Sequence, residues 1–269
     1  MMEMLSYPFM QRALLAGVMV GFLASYYGVF VVQRGLSFLG SGLSHATFGG
    51  VALGLLLGMQ PLAVAVPFTV AVALGITWVG RRTSLSGDTA VGIFFAVSMA
   101  LGILFLSMKS DYSVEAMTYL FGSILSVSAG DLWITGAVTA ASLLTLPLWP
   151  RLAYATFDRE LAQADQVPVE RDDYLLSVLI AVTVVVAVKV MGIMLMAAFL
   201  VIPAAVSRLV TRRFITMAVA AAVVGVGSTV AGLMVSYWVD APSGATIILV
   251  QALLFLLALA AQRLWTRQG

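Results

Sequence analysis

A histidine and the serine one helical turn before it are the residues of this sequence best suited to chemistry. His45 is the only histidine in the chain and lies in a long uncharged apolar stretch, with Ser41 four residues earlier. Residues four apart share one face of a helix, so the imidazole and the hydroxyl would lie side by side. An ionisable group at membrane depth is a candidate for function because burying it is costly. The alternative is a neutral structural histidine, hydrogen-bonded to Ser41 or to a neighbouring helix.

Residues that other chemistries require are missing or badly spaced. The absence of cysteine excludes disulfides, iron–sulfur clusters and thiolate zinc sites. A single histidine cannot form a zinc-protease HExxH motif, and without a phosphate-binding loop any ATP must be bound by another chain. Ser41 and His45 could imitate a serine-protease dyad, although one turn of one helix rarely supplies that geometry. Met191, Met194 and Met196 suggest copper, but they do not share a helix face, which favours a role as apolar filler.

The composition places these residues in a membrane. Of 269 residues, 62% are hydrophobic and 10% are charged, whereas soluble domains carry roughly 25% charged residues. This excludes an ordinary soluble enzyme, a nucleic-acid-binding domain and a disordered regulator. All 14 basic and 12 acidic residues lie outside nine apolar stretches, each near the ~20 residues that a helical span needs. The predicted spans are residues 13–32, 35–59, 61–80, 89–108, 132–149, 174–188, 190–207, 214–239 and 241–262.

These stretches predict an all-α, polytopic membrane protein with about nine transmembrane helices in one domain, residues 1–269. The sixth stretch is short, and Lys189 separates it from the seventh. Fusing the two would give a helix of roughly 50 Å, too long for one bilayer. We therefore predict a tight turn at residues 189–192.

The basic residues predict the orientation of the chain. With the N-terminus outside, eleven of the fourteen basic residues fall on the inside, a strong positive-inside bias. An odd number of spans then places the C-terminus in the cytoplasm. The first apolar run is predicted to be a retained span, since it lacks a small-residue cleavage site and is long for a signal peptide.

Two connecting segments are long enough to have roles of their own. Residues 150–173 are the most polar part of the chain and would face the cytoplasm. Their acidic residues suit either a docking surface or a solvated connector: Asp158, Glu160, Asp165, Glu170, Asp172 and Asp173. Residues 109–131 would face outward, and the run 117–125 is predicted to be interfacial or re-entrant because it is too short to span.

Several segments together resemble one family, the membrane permeases of bacterial ABC importers for zinc, manganese or iron. The first and most specific is Leu36-Ser37-Phe38-Leu39-Gly40-Ser41-Gly42-Leu43-Ser44-His45-Ala46. The others follow in family order over nearly the whole chain, at residues 87–93, 119–125, 155–162, 192–208 and 240–246.

The resemblance implies a type II-like permease of the bacterial cytoplasmic membrane. Two copies would line one path, with ATPase subunits docked in the cytoplasm and an extracellular or periplasmic metal-binding protein delivering the ion. The cargo would be Zn²⁺, Mn²⁺ or Fe²⁺, with no stably bound cofactor and no nucleic-acid partner. It implies a transient metal site at His45. Ser41, a weaker ligand, stands where family members commonly carry an aspartate.

The resemblance also implies that the segment between the seventh and eighth spans, residues 203–214, couples to the ATPase. The predicted coupling residues, in this segment and in the loop before the sixth span, are Pro203, Ser207, Arg208, Arg212, Arg213, Asp158 and Glu160. Three alternatives remain at this stage: a metal-chelate ABC permease, an ion-coupled secondary transporter and an intramembrane enzyme. The secondary transporter is disfavoured because none of the nine spans contains a carboxylate.

Overall fold

The computed structural model describes residues 7–108, 122, 124 and 127–266. Within these ranges the chain forms eleven α-helices and one short 3₁₀-helix, Leu146–Leu148. The α-helices are α1 Pro8–Gln33, α2 Leu39–Leu56, α3 Pro61–Arg82, α4 Gly87–Ser107, α5 Ala129–Leu143, α6 Trp149–Phe157, α7 Arg159–Ala164, α8 Val169–Met191, α9 Ile193–Val210, α10 Phe214–Val239 and α11 Ser243–Thr266.

The helices confirm the all-α prediction and come close to its count of nine spans. Among the described residues, eight stretches are long and apolar enough to cross a bilayer, with the chain from α5 to α6 counted as one. Helix α9 is the shorter ninth apolar helix. The predicted re-entrant run at 117–125 lies outside the described residues except for Gly122 and Ile124.

The break between the sixth and seventh spans differs from the prediction. Helix α8 continues past Lys189 to Met191, and the turn is made by Gly192 alone, with φ of 86°. Glycine takes this backbone conformation without the penalty that a Cβ imposes. Lys189 remains helical because its ammonium pairs with the Asp131 carboxylate at the start of α5. The charge that suggested a turn is therefore matched within the bundle.

Three helices form the inside of the bundle. Helix α1 packs against α5, α8, α9 and α10, while α2 packs against α3, α4, α8 and α9. Close approach depends on small residues: a Cβ on Gly28 of α1 would overlap the carbonyl oxygen of Leu200 in α9. Helix α8 is also largely buried, whereas α3, α4, α10 and α11 expose most of their surface. Met191 and Met196 are buried in the core, as predicted for apolar filler.

Charged residues collect at the two ends of the bundle. Arg34 at the end of α1, Arg81 near the end of α3 and Arg159 in α7 all contact the Asp173 carboxylate near the start of α8. The Lys189–Asp131 pair links the far end of α8 to the start of α5. The three arginines, all predicted to be inside, therefore meet at one end, in agreement with the orientation deduced from charge.

Candidate functional site

Helix α2 carries one open stripe on an otherwise buried surface. Of its 18 residues, 14 are buried against neighbouring helices. The other four are Ser41, His45, Leu53 and Leu56, all half-buried. At 100° per residue they fall within about 120° of the helix circumference. The two polar members of the stripe are the predicted metal ligands, so the structure places both at the surface of the chain.

The hydrogen bond of His45 fixes which ring nitrogen is open to a ligand. Its Nδ1 lies 2.9 Å from the carbonyl oxygen of Ser41. A carbonyl can only accept, so Nδ1 carries the proton and Nε2 keeps its lone pair. A backbone carbonyl in this position commonly orients a metal-binding histidine. The bond goes to the backbone of Ser41 and not to its hydroxyl, which is not the arrangement of a nucleophile activated by its base.

Aromatic rings flank the histidine on the same surface. Phe95 of α4 meets the imidazole edge-on, with ring centroids 4.5 Å apart. The Phe95 ring also touches Phe38, which precedes α2, at 5.8 Å. No group of three or more His, Asp, Glu or Cys side chains able to hold a metal occurs within the described residues. One copy of this surface therefore offers a single imidazole in an apolar frame, well short of the four ligands of a closed zinc site.

The predicted coupling residues of the 203–214 segment divide into two groups. Pro203 and Ser207 are buried within α9, where the Ser207 hydroxyl donates to the carbonyl of Ala204 at 2.8 Å. The three arginines, Arg208, Arg212 and Arg213, are exposed. Arg208 is near the end of α9, and the other two lie in the short connection to α10. The arginines can meet a partner directly, whereas the buried pair can act only through the position of the helix.

The two predicted coupling segments lie side by side. Asp158 caps α7 by accepting from the backbone N–H of Leu161 at 2.9 Å, and Glu160 in the same helix is exposed. Immediately before them, Phe157 packs edge-on against Phe214, the first residue of α10, at 5.4 Å. Phe214 in turn contacts Phe30 of α1 at 5.3 Å. An aromatic cluster thus joins the two predicted coupling segments to a central helix.

Asp172 and Asp173 do not belong to a docking surface, contrary to one interpretation of the 150–173 segment. Both are buried. Asp172 accepts from Arg151 at 2.6 Å, while Asp173 accepts from Arg34, Arg81 and Arg159 at 2.7 to 3.0 Å. Burying a carboxylate requires such partners. The last two acids of the segment therefore anchor it to the bundle, while its other four acids, Asp158, Glu160, Asp165 and Glu170, stay exposed.

Sequence reasoning missed this ion-pair cluster and the Lys189–Asp131 pair. A signal was present in the sequence. Asp131 and Asp173 each come directly before an apolar span, and residues of opposite charge, such as Lys189 and Arg34, follow other spans on the same predicted side of the membrane. The spacing along the chain, 139 residues for Arg34 and Asp173, could not show which of several arginines would meet which carboxylate.

The model of the ABC 3 transport family matches residues 6–262. The manganese transport system membrane protein MntC of Halalkalibacterium halodurans is 37% identical over 257 residues, which cover 95% of this chain and 88% of that protein. The high-affinity zinc uptake system membrane protein ZnuB of Haemophilus influenzae is 32% identical, with coverage of 92% and 95%. The structure of PsaBC from Streptococcus pneumoniae in complex with Fab superposes with a TM-score of 0.85, 33% identity and coverage of 98% and 96%.

These matches extend over nearly the whole of each chain, and the segments that carry the sequence resemblance lie within them. The chain therefore belongs to the ABC 3 transport family: it is a multi-pass permease subunit of the bacterial cytoplasmic membrane, and ATP hydrolysis belongs to a separate subunit.

Proposed function

We propose that this chain is the translocation subunit of an ATP-driven importer of a divalent transition metal ion, and that two copies form the path with His45 at its centre. The observation that carries the proposal is the open stripe of α2. It presents the His45 imidazole, held by the Ser41 carbonyl, on the one face of a central helix that the described part of the chain leaves half-buried. The names of the relatives supply the cargo class, manganese for MntC and zinc for ZnuB. Those names favour a free ion over a metal chelate.

A dimer of these surfaces has the chemistry of a transit site. Two copies facing each other would offer two imidazoles in an apolar frame, fewer ligands than a storage or structural site requires. A conduction path must bind an ion well enough to admit it and loosely enough to release it. Imidazole suits zinc and iron, whereas manganese prefers carboxylate oxygens. Competition between the three metals in an uptake assay would identify the cargo.

The proposed dimer can be tested by cross-linking, because the chain has no native cysteine. In the Ser41→Cys protein, a short bifunctional thiol reagent is expected to link most of the chains into dimers in native membranes. The control is Val223→Cys on α10, which is 67% exposed and should give little dimer. Equal yields from both positions, or none from Ser41→Cys, would reject a dimer axis beside α2.

We further propose that the ATPase docks on the surface formed by residues 211–213 and by the start of α7. Arg212, Arg213 and Glu160 are exposed there, and the Phe157–Phe214 contact holds the two segments together. A shift of this surface would move α1 through the contact between Phe214 and Phe30. It would move α9 directly, because residues 211–213 follow the last residue of that helix. A solute-binding protein would deliver the metal at the opposite end. Alternating access would then follow as packed helices slide past one another.

Charge reversal tests the docking surface. The Arg212→Glu/Arg213→Glu protein is expected to lose about 90% of metal-dependent uptake and of co-purified ATPase, because like charges at an interface cost several kcal/mol. Arg82→Glu is the matched control, since Arg82 is an exposed arginine at the end of α3, outside this surface. Normal ATPase recovery and uptake in the double variant would show that these arginines merely mark the cytoplasmic face.

A further inference from the structure

A cavity of about 380 Å³ lies at the arginine-rich end of the bundle. It is partly open and is lined by the ends of α1 and α3, the first residues of α2 and α4, the α6–α7 segment and the start of α8. Arg34, Arg81 and Arg159 line it together with Asp173. It is far larger than the ~30 Å³ that one water molecule occupies in the liquid. The metal path proposed above does not use it.

The charge of this cavity is not balanced by its own residues. Three guanidinium groups share the Asp173 carboxylate. One further acid, Glu170, reaches Arg81 at 3.4 Å and is 61% exposed, so water screens its charge. The site therefore retains excess positive charge.

The polar groups of the wall suit an oxyanion. Guanidinium groups present planar pairs of N–H donors that match the oxygens of phosphate. Asp173 holds all three arginines by their ends, which fixes their directions before a ligand arrives. The Thr77 and Ser177 hydroxyls also lie on the wall, but Thr77 donates to the Ala73 carbonyl and Ser177 to Thr77, so the arginines supply the donors for an anion. A small anion with several oxygens would satisfy these groups better than water does.

The cavity has an exposed tryptophan beside it, as expected near the lipid headgroups. Gly80 of α3 lines it, and Trp78, two residues earlier, is 55% exposed on the bundle surface. Tryptophan is enriched where a spanning helix meets the headgroup layer. Basic pockets between helices on the cytoplasmic side are sites for anionic headgroups.

We propose that this cavity binds a phosphate group, supplied by an anionic phospholipid of the inner leaflet or by free inorganic phosphate. The bound phosphate would accept from the arginines that Asp173 alone does not saturate. It would thereby hold the α6–α7 segment, which carries Arg159, against the ends of α1 and α3.

The proposal is tested by thermal unfolding of the purified full chain in detergent. We expect dioleoylphosphatidylglycerol to raise the apparent Tm by about 3 °C, while dioleoylphosphatidylcholine leaves it nearly unchanged. A second pair of samples compares sodium phosphate with sodium chloride at equal ionic strength. A shift with the glycerol lipid alone assigns the site to a headgroup, and a shift in both arms assigns it to phosphate from either source. No shift in either arm overturns the proposal.

Two variants locate the effect within the cavity. Gly80→Leu adds bulk to the wall without removing charge: a Cβ there would meet no atom within 4 Å, and leucine is the better helix former. Arg159→Gln removes the most exposed guanidinium of the three. Both are expected to lose at least half of the ligand-induced shift, whereas Arg82→Gln, outside the cavity, should keep it. A full shift in Gly80→Leu, or its loss in Arg82→Gln, would mean that the phosphate binds elsewhere.

Discussion

Replacing His45 with alanine is expected to reduce metal uptake at least about tenfold while ATP hydrolysis by the partner subunit continues. The substitution removes the imidazole whose Nε2 is left open by the Nδ1 bond to the Ser41 carbonyl. Loss of a group that merely orients a metal ligand already costs 10- to 100-fold in affinity or activity, and here the ligand itself is lost. Uptake of ⁶⁵Zn or ⁵⁴Mn into proteoliposomes, measured beside phosphate release, checks both halves of the prediction.

The control for His45→Ala is Ser44→Ala, one residue away on the same helix. Ser44 is fully buried, and its hydroxyl donates to the Gly40 carbonyl at 2.7 Å, away from the open stripe. Removing this local bond should cost no more than about 1 kcal/mol of stability and leave uptake close to that of the unmodified protein. Normal uptake by the His45→Ala protein would remove this residue from the path. A collapse of uptake in both proteins would point to misfolding of α2.

Much of the architecture could be predicted because membrane insertion is governed by length and apolar content. The nine apolar stretches correspond to helices α1 to α5 and α8 to α11. The same uniformity hides the details, since a span that is apolar on every face gives no sign of which face meets a neighbour. Nothing in the residues around His45 indicated that Phe95, from a different span, would pack against its ring. The half-buried state of His45 could likewise be learned only from the packing of α3, α4, α8 and α9 around α2.

The incorrect details all involve charged or polar side chains whose partners lie far away in the sequence. Lys189 was placed in a turn because it separates two apolar stretches that together are too long for one bilayer, yet it remains helical and pairs with Asp131 from another helix. Asp172 and Asp173 looked solvated because they adjoin a polar loop, yet arginines from several elements enclose them. Local composition shows where charged residues lie along the chain, but it does not predict which residues they pair with in the fold.

Neutralising Asp173 is expected to destabilise the fold strongly. In the Asp173→Asn protein, the guanidinium groups of Arg34, Arg81 and Arg159 would repel one another with no carboxylate between them. Removing one partner of a buried ion pair costs 3–5 kcal/mol. We expect about 3 kcal/mol, at the lower end, because Arg159 is half exposed and partly screened. The apparent Tm in detergent should then fall by roughly 6 to 12 °C.

A second substitution distinguishes charge repulsion from loss of shape. In the Asp173→Asn/Arg159→Gln protein one of the three cations is gone, so part of the lost stability should return, giving a non-additive double-mutant cycle. Glu170→Gln is the matched control, because Glu170 lies on the same helix, also contacts Arg81 and is largely exposed; its loss should cost at most about 1 kcal/mol. If the Asp173→Asn and Glu170→Gln proteins have the same apparent Tm, the cluster does not hold the α6–α7 segment to the bundle.

The informative outcome is a lower Tm for Asp173→Asn alone that Arg159→Gln partly restores. Asp173 then stabilises the fold by offsetting excess positive charge at this end of the bundle, and an anionic ligand would offset the same charge.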